Sequence, residues 1–139
     1  MNSSLDDFIK EVEEEIWSEF SEVAVDHMSK PRNLGPMEED GNVGFITGDC
    51  GDSIKIWLKI KDDLIEKISF MTDGCGTTVA AGSMTTELAK GKSINDSLLI
   101  TPVIVLEELG GFPEDSVHCA VLATNALHDA INNYKNTKK

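Results

Sequence analysis

No Cys-x-x-Cys pair occurs anywhere in this chain of 139 residues, although it contains three cysteines. Their separation excludes zinc ribbons, thioredoxin-type redox motifs and the dense cysteine runs of ferredoxins. The zinc deaminase signature, His-x-Glu with Pro-Cys-x-x-Cys, is also missing. So is a phosphate-binding Gly-x-x-x-x-Gly-Lys-Ser/Thr loop, whose tail alone is approached by Ala89-Lys90-Gly91-Lys92-Ser93. There is no nucleophile elbow and no run of about 18 apolar residues that would span a membrane. The start, Met-Asn-Ser-Ser-Leu-Asp-Asp, is acidic where a secretory signal requires a basic patch followed by an apolar stretch. Three widely spaced cysteines cannot all pair, so a secreted disulfide framework is also excluded. A soluble, cytoplasmic protein with reduced thiols is expected.

Positive charge is scarce: 12 Lys and Arg face 25 Asp and Glu, a net charge of −13. Residues 1–22 carry Asp6, Asp7, Glu11, Glu13, Glu14, Glu15, Glu19 and Glu22 against Lys10 alone, a local balance of −7. Nucleic-acid binding needs a basic stripe that displaces counterions, and none is present.

The length suits one core, so the chain reads as a single domain, 1–139, with an acidic amphipathic N-terminal helical extension over 1–19 and a core over 20–135. Phe8, Ile9, Val12, Ile16, Phe20, Val23 and Ala24 recur at spacings of three and four and predict a helix over 5–27, ended before Pro31. Breakers mark a loop over 28–42. Strands are expected over 43–48, 53–60 and 64–72. Ile54, Ile56, Leu58 and Ile60 share one face of the second strand, Lys55, Trp57 and Lys59 the other, and Lys61-Asp62-Asp63 forms the turn. Helices are predicted over 78–90, closed by Gly91, over 103–109 after Pro102, and over 117–135 with Ala120, Ala123, Leu127, Ala130, Ile131 and Tyr134 at core spacing. Strands first and helices after define an α+β fold, a three-stranded antiparallel sheet packed against several helices.

The cysteines then stand out by their settings. Cys50 lies in Gly48-Asp49-Cys50-Gly51-Asp52 between two strands, where glycines leave its sulfur uncrowded. Cys75, in Asp73-Gly74-Cys75-Gly76, precedes a helix N-terminus, and Cys119 follows His118 in the first turn of the last helix. Unpaired N–H groups and the helix dipole favour a thiolate at both places. An isolated free cysteine is usually an inert core residue, but all three here fall at element ends beside Gly, Asp or His. Asp52 adds a hard, replaceable oxygen donor, and His118 reaches a shared metal with Cys119 only near the helix start, where geometry is loose. His27 and His128 have no cysteine neighbour and are read as structural or surface groups.

With Asp26-His27 through Pro31-Arg32-Asn33-Leu34-Gly35, Cys50-Gly51-Asp52, Gly74-Cys75-Gly76, Glu87-Leu88-Ala89-Lys90-Gly91-Lys92-Ser93 and Val117-His118-Cys119, residues 20–135 resemble the IscU/NifU N-terminal-domain family of iron–sulfur cluster assembly scaffolds. The resemblance implies an α/β sandwich that builds a transient [2Fe–2S] cluster on Cys50, Cys75 and Cys119. Asp52 would be the labile fourth ligand and His118 its alternative. It also implies no catalytic turnover, iron as a second input and zinc as a possible occupant of the apo site. Sulfur would come as persulfide from a cysteine desulfurase, with Cys119 the candidate acceptor. Acceptor apo-proteins, a frataxin-like protein and an Hsp70-type chaperone would complete the partners, and the protein would be a monomer or a cluster-bridged oligomer.

The chain departs from the family in several places. Where the housekeeping branch carries Leu-Pro-Pro-Val-Lys for its chaperone, this chain has Phe112-Pro113-Glu114-Asp115-Ser116. Leu109-Gly110-Gly111-Phe112-Pro113 is nearer the NifU branch, yet no ferredoxin-like cysteine cluster follows, so a stand-alone scaffold is expected. The 44-residue step from Cys75 to Cys119 leaves no room for the SufU-type insertion. Two other functions fit the same residues: a zinc-bound, persulfide-accepting partner of a desulfurase, and a stable zinc-binding interaction domain.

Overall fold

The computed structural model describes residues 20–37, 42–49 and 51–137. The predicted extension over 1–19 and Cys50 therefore lie outside the described residues. The order is helix α1 (Glu22–Ser29), strands β1 (Val43–Thr47), β2 (Ser53–Lys61) and β3 (Leu64–Thr72), then helices α2 (Gly76–Ala89), α3 (Ile94–Ser97) and α4 (Pro102–Glu108). A 3-10 turn (Glu114–Ser116) leads into the long final helix α5 (His118–Thr137).

The strands form an antiparallel meander in the order β1-β2-β3. Asp62 and Asp63 join β2 to β3 with φ of 56° and 61°, the left-handed pair of a two-residue hairpin whose twist matches the strands. Residues Lys61 and Leu64 pair directly across it, as the predicted turn requires. Ile54, Ile56 and Leu58 are buried together with their β3 neighbours Ile68 and Phe70. Each such side chain contributes roughly 1.5–3 kcal/mol on full burial. On the opposite face, Trp57 is only 6% exposed. It pairs across the strands with Val43 and Ser69, and the Lys55 ammonium lies 5.1 Å from its ring centroid.

Two glycines let helices approach the sheet. A Cβ on Gly44 would stand 2.1 Å from the Ala126 carbonyl oxygen, so β1 and α5 touch backbone to backbone. A Cβ on Gly82 would stand 2.5 Å from the Phe70 ring, which fills the notch that α2 leaves. Ala120, Ala123, Leu127, Ala130 and Ile131 are buried as their spacing predicts, and Tyr134 is partly buried.

The predicted helix over 5–27 does not run through Ser21. That residue is extended, with ψ of 164°, and its hydroxyl accepts the Ala24 N–H at 3.0 Å, so α1 begins at Glu22. The same hydroxyl donates to the Leu109 carbonyl and ties the start of α1 to the end of α4. Phe20 packs edge-on against Phe112, centroids 5.7 Å apart. Helix α1 ends ahead of Pro31, as expected, and Leu34 then lies beside Phe70 as a parallel bridge at the β3 edge. Helix α3, absent from the sequence reading, is a single turn capped by Ser93, whose hydroxyl accepts the Asp96 N–H.

Candidate metal centre

Both described cysteines occupy the helix starts that the sequence assigns them. Cys75 is the N-cap of α2, so its own backbone is extended and its thiol faces the free N–H groups of the first turn. Cys119 is the second residue of α5. Because α2 and α5 pack along one another, their first turns lie together at one end of the sheet. Next to them is the β1–β2 loop, closed by Gly48 N–H to the Asp52 carbonyl at 2.8 Å and Gly51 N–H to the Gly48 carbonyl at 3.0 Å. Gly51 has φ of 90°, a conformation that glycine adopts freely. Cys50 belongs to this loop but falls outside the described residues.

Two threonine hydroxyls connect the side chains. Thr77 Oγ1 lies 3.1 Å from Cys75 Sγ and 3.4 Å from Cys119 Sγ. Thr78 Oγ1 lies 3.4 Å from Cys119 Sγ and donates to Asp52 Oδ2 at 3.2 Å. His118 Nε2 stands 3.8 Å from Cys119 Sγ, so the adjacent pair does reach a common region at the loose helix start. Asp52, Cys75, His118 and Cys119 are thus joined through direct contacts or one intervening hydroxyl. Among the described residues, no group of three His, Cys, Asp or Glu side chains is arranged to hold a metal ion by itself.

The two thiols differ. Cys75 is exposed and Cys119 is buried, 2% exposed. The Thr77 hydroxyl holds the Cys75 thiol below its ordinary pKa; partial burial opposes this, and the backbone N–H groups of Thr77 and Thr78 add to the lowering. Beside His118, a cleft of about 560 Å³ opens between β1 and α5, lined by Ile46, Asp49, Val121 and Asn125 among others.

The remaining histidines, read from sequence as structural or surface groups, hydrogen-bond within the fold. His27 is buried against α2 with Nδ1 2.6 Å from Ser83 Oγ, and burial lowers its pKa, as does the nearby Arg32 charge. His128 Nε2 lies 2.9 Å from the Ile100 carbonyl. The sequence reading missed Thr77 and Thr78, for which the only signal was two hydroxyls directly after Gly-Cys-Gly.

A small α+β chain that gathers thiols, a carboxylate and an imidazole at the starts of two neighbouring helices has the donor chemistry of a soft-metal-binding protein. Comparison with known proteins narrows the class. Residues 19–139 match the family described as NifU-like N terminal domain. The chain is 45% identical over 116 residues to the iron-sulfur cluster assembly scaffold protein IscU 1 of Archaeoglobus fulgidus, an alignment covering 83% of this chain and 76% of that protein. It is 38% identical over 125 residues to the iron-sulfur cluster assembly scaffold protein IscU of Escherichia coli K12, covering 86% and 97%. Its fold matches the crystal structure of the N-terminal part of a nitrogen-fixing NifU-like protein from Brucella abortus, with a TM-score of 0.67 at 16% identity, over 87% of this chain and 97% of that one. The chain belongs to the NifU-like N-terminal-domain family, to which the sequence motifs had pointed.

Proposed function

We propose that this protein is a scaffold on which iron and sulfur are assembled into a transient [2Fe–2S] cluster that is then handed to acceptor apo-proteins. The observation that carries the reading is the meeting of Asp52, Cys75, His118 and Cys119 at two helix starts, in a chain 45% identical to an iron-sulfur cluster assembly scaffold protein. Cys50, Cys75 and Cys119 supply thiolates, and Asp52 or His118 the weaker fourth donor. Three strong donors retain the cargo, while one weak oxygen or nitrogen donor leaves a position that an acceptor's thiol can take.

Sulfur enters as the persulfide of a cysteine desulfurase. A thiolate of this chain attacks the terminal sulfur, that S–S bond breaks, the desulfurase cysteine leaves as thiolate, and a new persulfide forms. Conversion of the delivered sulfur to sulfide takes two electrons from an external reductant. Cys119 is the acceptor implied by the family resemblance. Cys75 competes for the role, because it is the exposed thiol with the lowered pKa. Iron arrives separately, and zinc can occupy the same donors. The chain binds and transfers its cargo without turnover of its own. One domain spans the chain, with its core over 20–135.

Anaerobic reconstitution with iron, cysteine and a desulfurase tests this reading. The expected result is visible absorption from a labile cluster that moves to apo-ferredoxin. Failure to take up iron while zinc stays tightly held would overturn it in favour of a zinc-bound sulfur-transfer partner.

A further inference from the structure

Of the helical threonines, Thr86 and Thr124 spend their hydroxyls locally, donating to the carbonyls four residues back, Gly82 at 2.8 Å and Ala120 at 3.0 Å. This is the common fate of a helical threonine, although Thr86 Oγ1 also accepts from Asn33 Nδ2 at 3.0 Å. Thr77 and Thr78 are different because they fall in the first turn of α2, where no helical carbonyl lies behind them. Their hydroxyls turn instead to Cys75, Cys119 and Asp52.

Thr78 is fully buried, and a buried hydroxyl without a partner is costly. The partners it has are one carboxylate and one sulfur, from two different parts of the chain. The fold makes room for this: a Cβ on Gly74 would come within 2.7 Å of both Cβ and Oγ1 of Thr78, so the residue before Cys75 forms the notch that seats the threonine. Thr77 bridges the two sulfurs, its hydroxyl 3.1 Å from Cys75 Sγ and 3.4 Å from Cys119 Sγ. The pair together connects the β1–β2 loop, the start of α2 and the start of α5.

We propose that Thr77 and Thr78 are positioning residues whose hydroxyls tether Asp52, Cys75 and Cys119 to one another, limiting how far these donors must move to close on a soft cation. The proposal rests on the donor set assigned under the proposed function, and it adds two residues that are not themselves donors to the metal. Hydroxyls that orient metal-binding side chains commonly govern affinity by about 10- to 100-fold.

Cobalt(II) titration of the full chain under anaerobic conditions tests it, read by thiolate-to-cobalt charge-transfer absorption. Wild-type protein should show the band. Thr78→Val, which keeps the shape and removes the hydroxyl, should weaken cobalt binding by about 10-fold or more. It should also lower the charge-transfer intensity per bound cobalt, and Thr78→Ser should restore both. Thr77→Val should act in the same direction, which keeps the test decisive even where Thr78→Val fails to fold. Wild-type affinity and spectrum in Thr77→Val and in a folded Thr78→Val would overturn the proposal and leave the donor set standing. Absence of the thiolate band in wild-type protein would overturn the donor set itself, and the proposal with it.

Discussion

Replacing Gly44 with alanine should damage the thiol site from the far side of a helix. The added methyl would begin 2.1 Å from the Ala126 carbonyl oxygen and 2.6 Å from the Ala130 nitrogen, both backbone atoms that no rotamer change can move. To reach even 3.0 Å from that oxygen, helix α5 must withdraw by about 0.9 Å. Overpacking against a yielding side chain costs about 1–3 kcal/mol, and unyielding backbone places this case near 3. Alanine in a strand also gains roughly 0.5–1 kcal/mol over glycine when space allows. The net expectation is a loss of about 2 kcal/mol, which for a urea slope of about 1–3 kcal/mol/M moves the unfolding midpoint down by about 1 M. Cys119 lies seven residues upstream of Ala126 on the same helix, about 10 Å along its axis, so a displaced α5 also moves its sulfur. Urea unfolding and cobalt titration of the same variant measure both effects. An unfolding free energy within about 0.5 kcal/mol of wild type would refute the backbone contact on which the reasoning rests.

Three other predictions concern the site and its surroundings. Asp52→Ala should lengthen the life of the reconstituted cluster and slow its transfer, followed by decay of visible absorption; a shorter-lived holo form would remove Asp52 as the exchange ligand. Cys119→Ser should abolish the mass gain of one sulfur atom on incubation with desulfurase and cysteine, whereas Cys50→Ser and Cys75→Ser should retain it. Loss in Cys75→Ser alone would transfer the acceptor role to the exposed thiol. His27 has a folded-state pKa lowered by burial, so the unfolded chain takes up its proton first as pH falls below about 6.5. Its contribution therefore favours the fold above that range and is lost on acidification. The unfolding midpoint of wild type should fall more than that of His27→Gln between pH 7.5 and about 5.5; parallel curves would show that this proton does not matter.

The elements with clear periodicity were the ones the sequence displayed best. In β2, alternation from Ile54 to Leu58 marks the buried face, and the double aspartate after Lys61 marks the turn, because each signal comes from residues adjacent in the chain. Trp57 was harder, since alternation names a side of the sheet but not how deeply a large ring is buried there. The helix predicted to pass through Phe20 failed at Ser21 because the apolar spacing continues unbroken across a residue whose hydroxyl caps a helix start. At the site, Cys75 and Cys119 were placeable from glycine, proline and helix signals alone. The roles of Thr77 and Thr78 were not, because they depend on Asp52 and Cys119 arriving from 26 and 41 residues away.

The two described thiols sit at the roots of separate helices, 44 residues apart in sequence. Under the proposed function, cargo gripped by both would be a staple as well as a load. Closing a loop of that length by a covalent-like link removes about 4 kcal/mol of unfolded-chain entropy, a sizeable share of the roughly 5–15 kcal/mol that stabilises a whole domain. Each hand-over would then withdraw a brace from the donor. Loaded protein should then resist proteolysis that emptied protein does not.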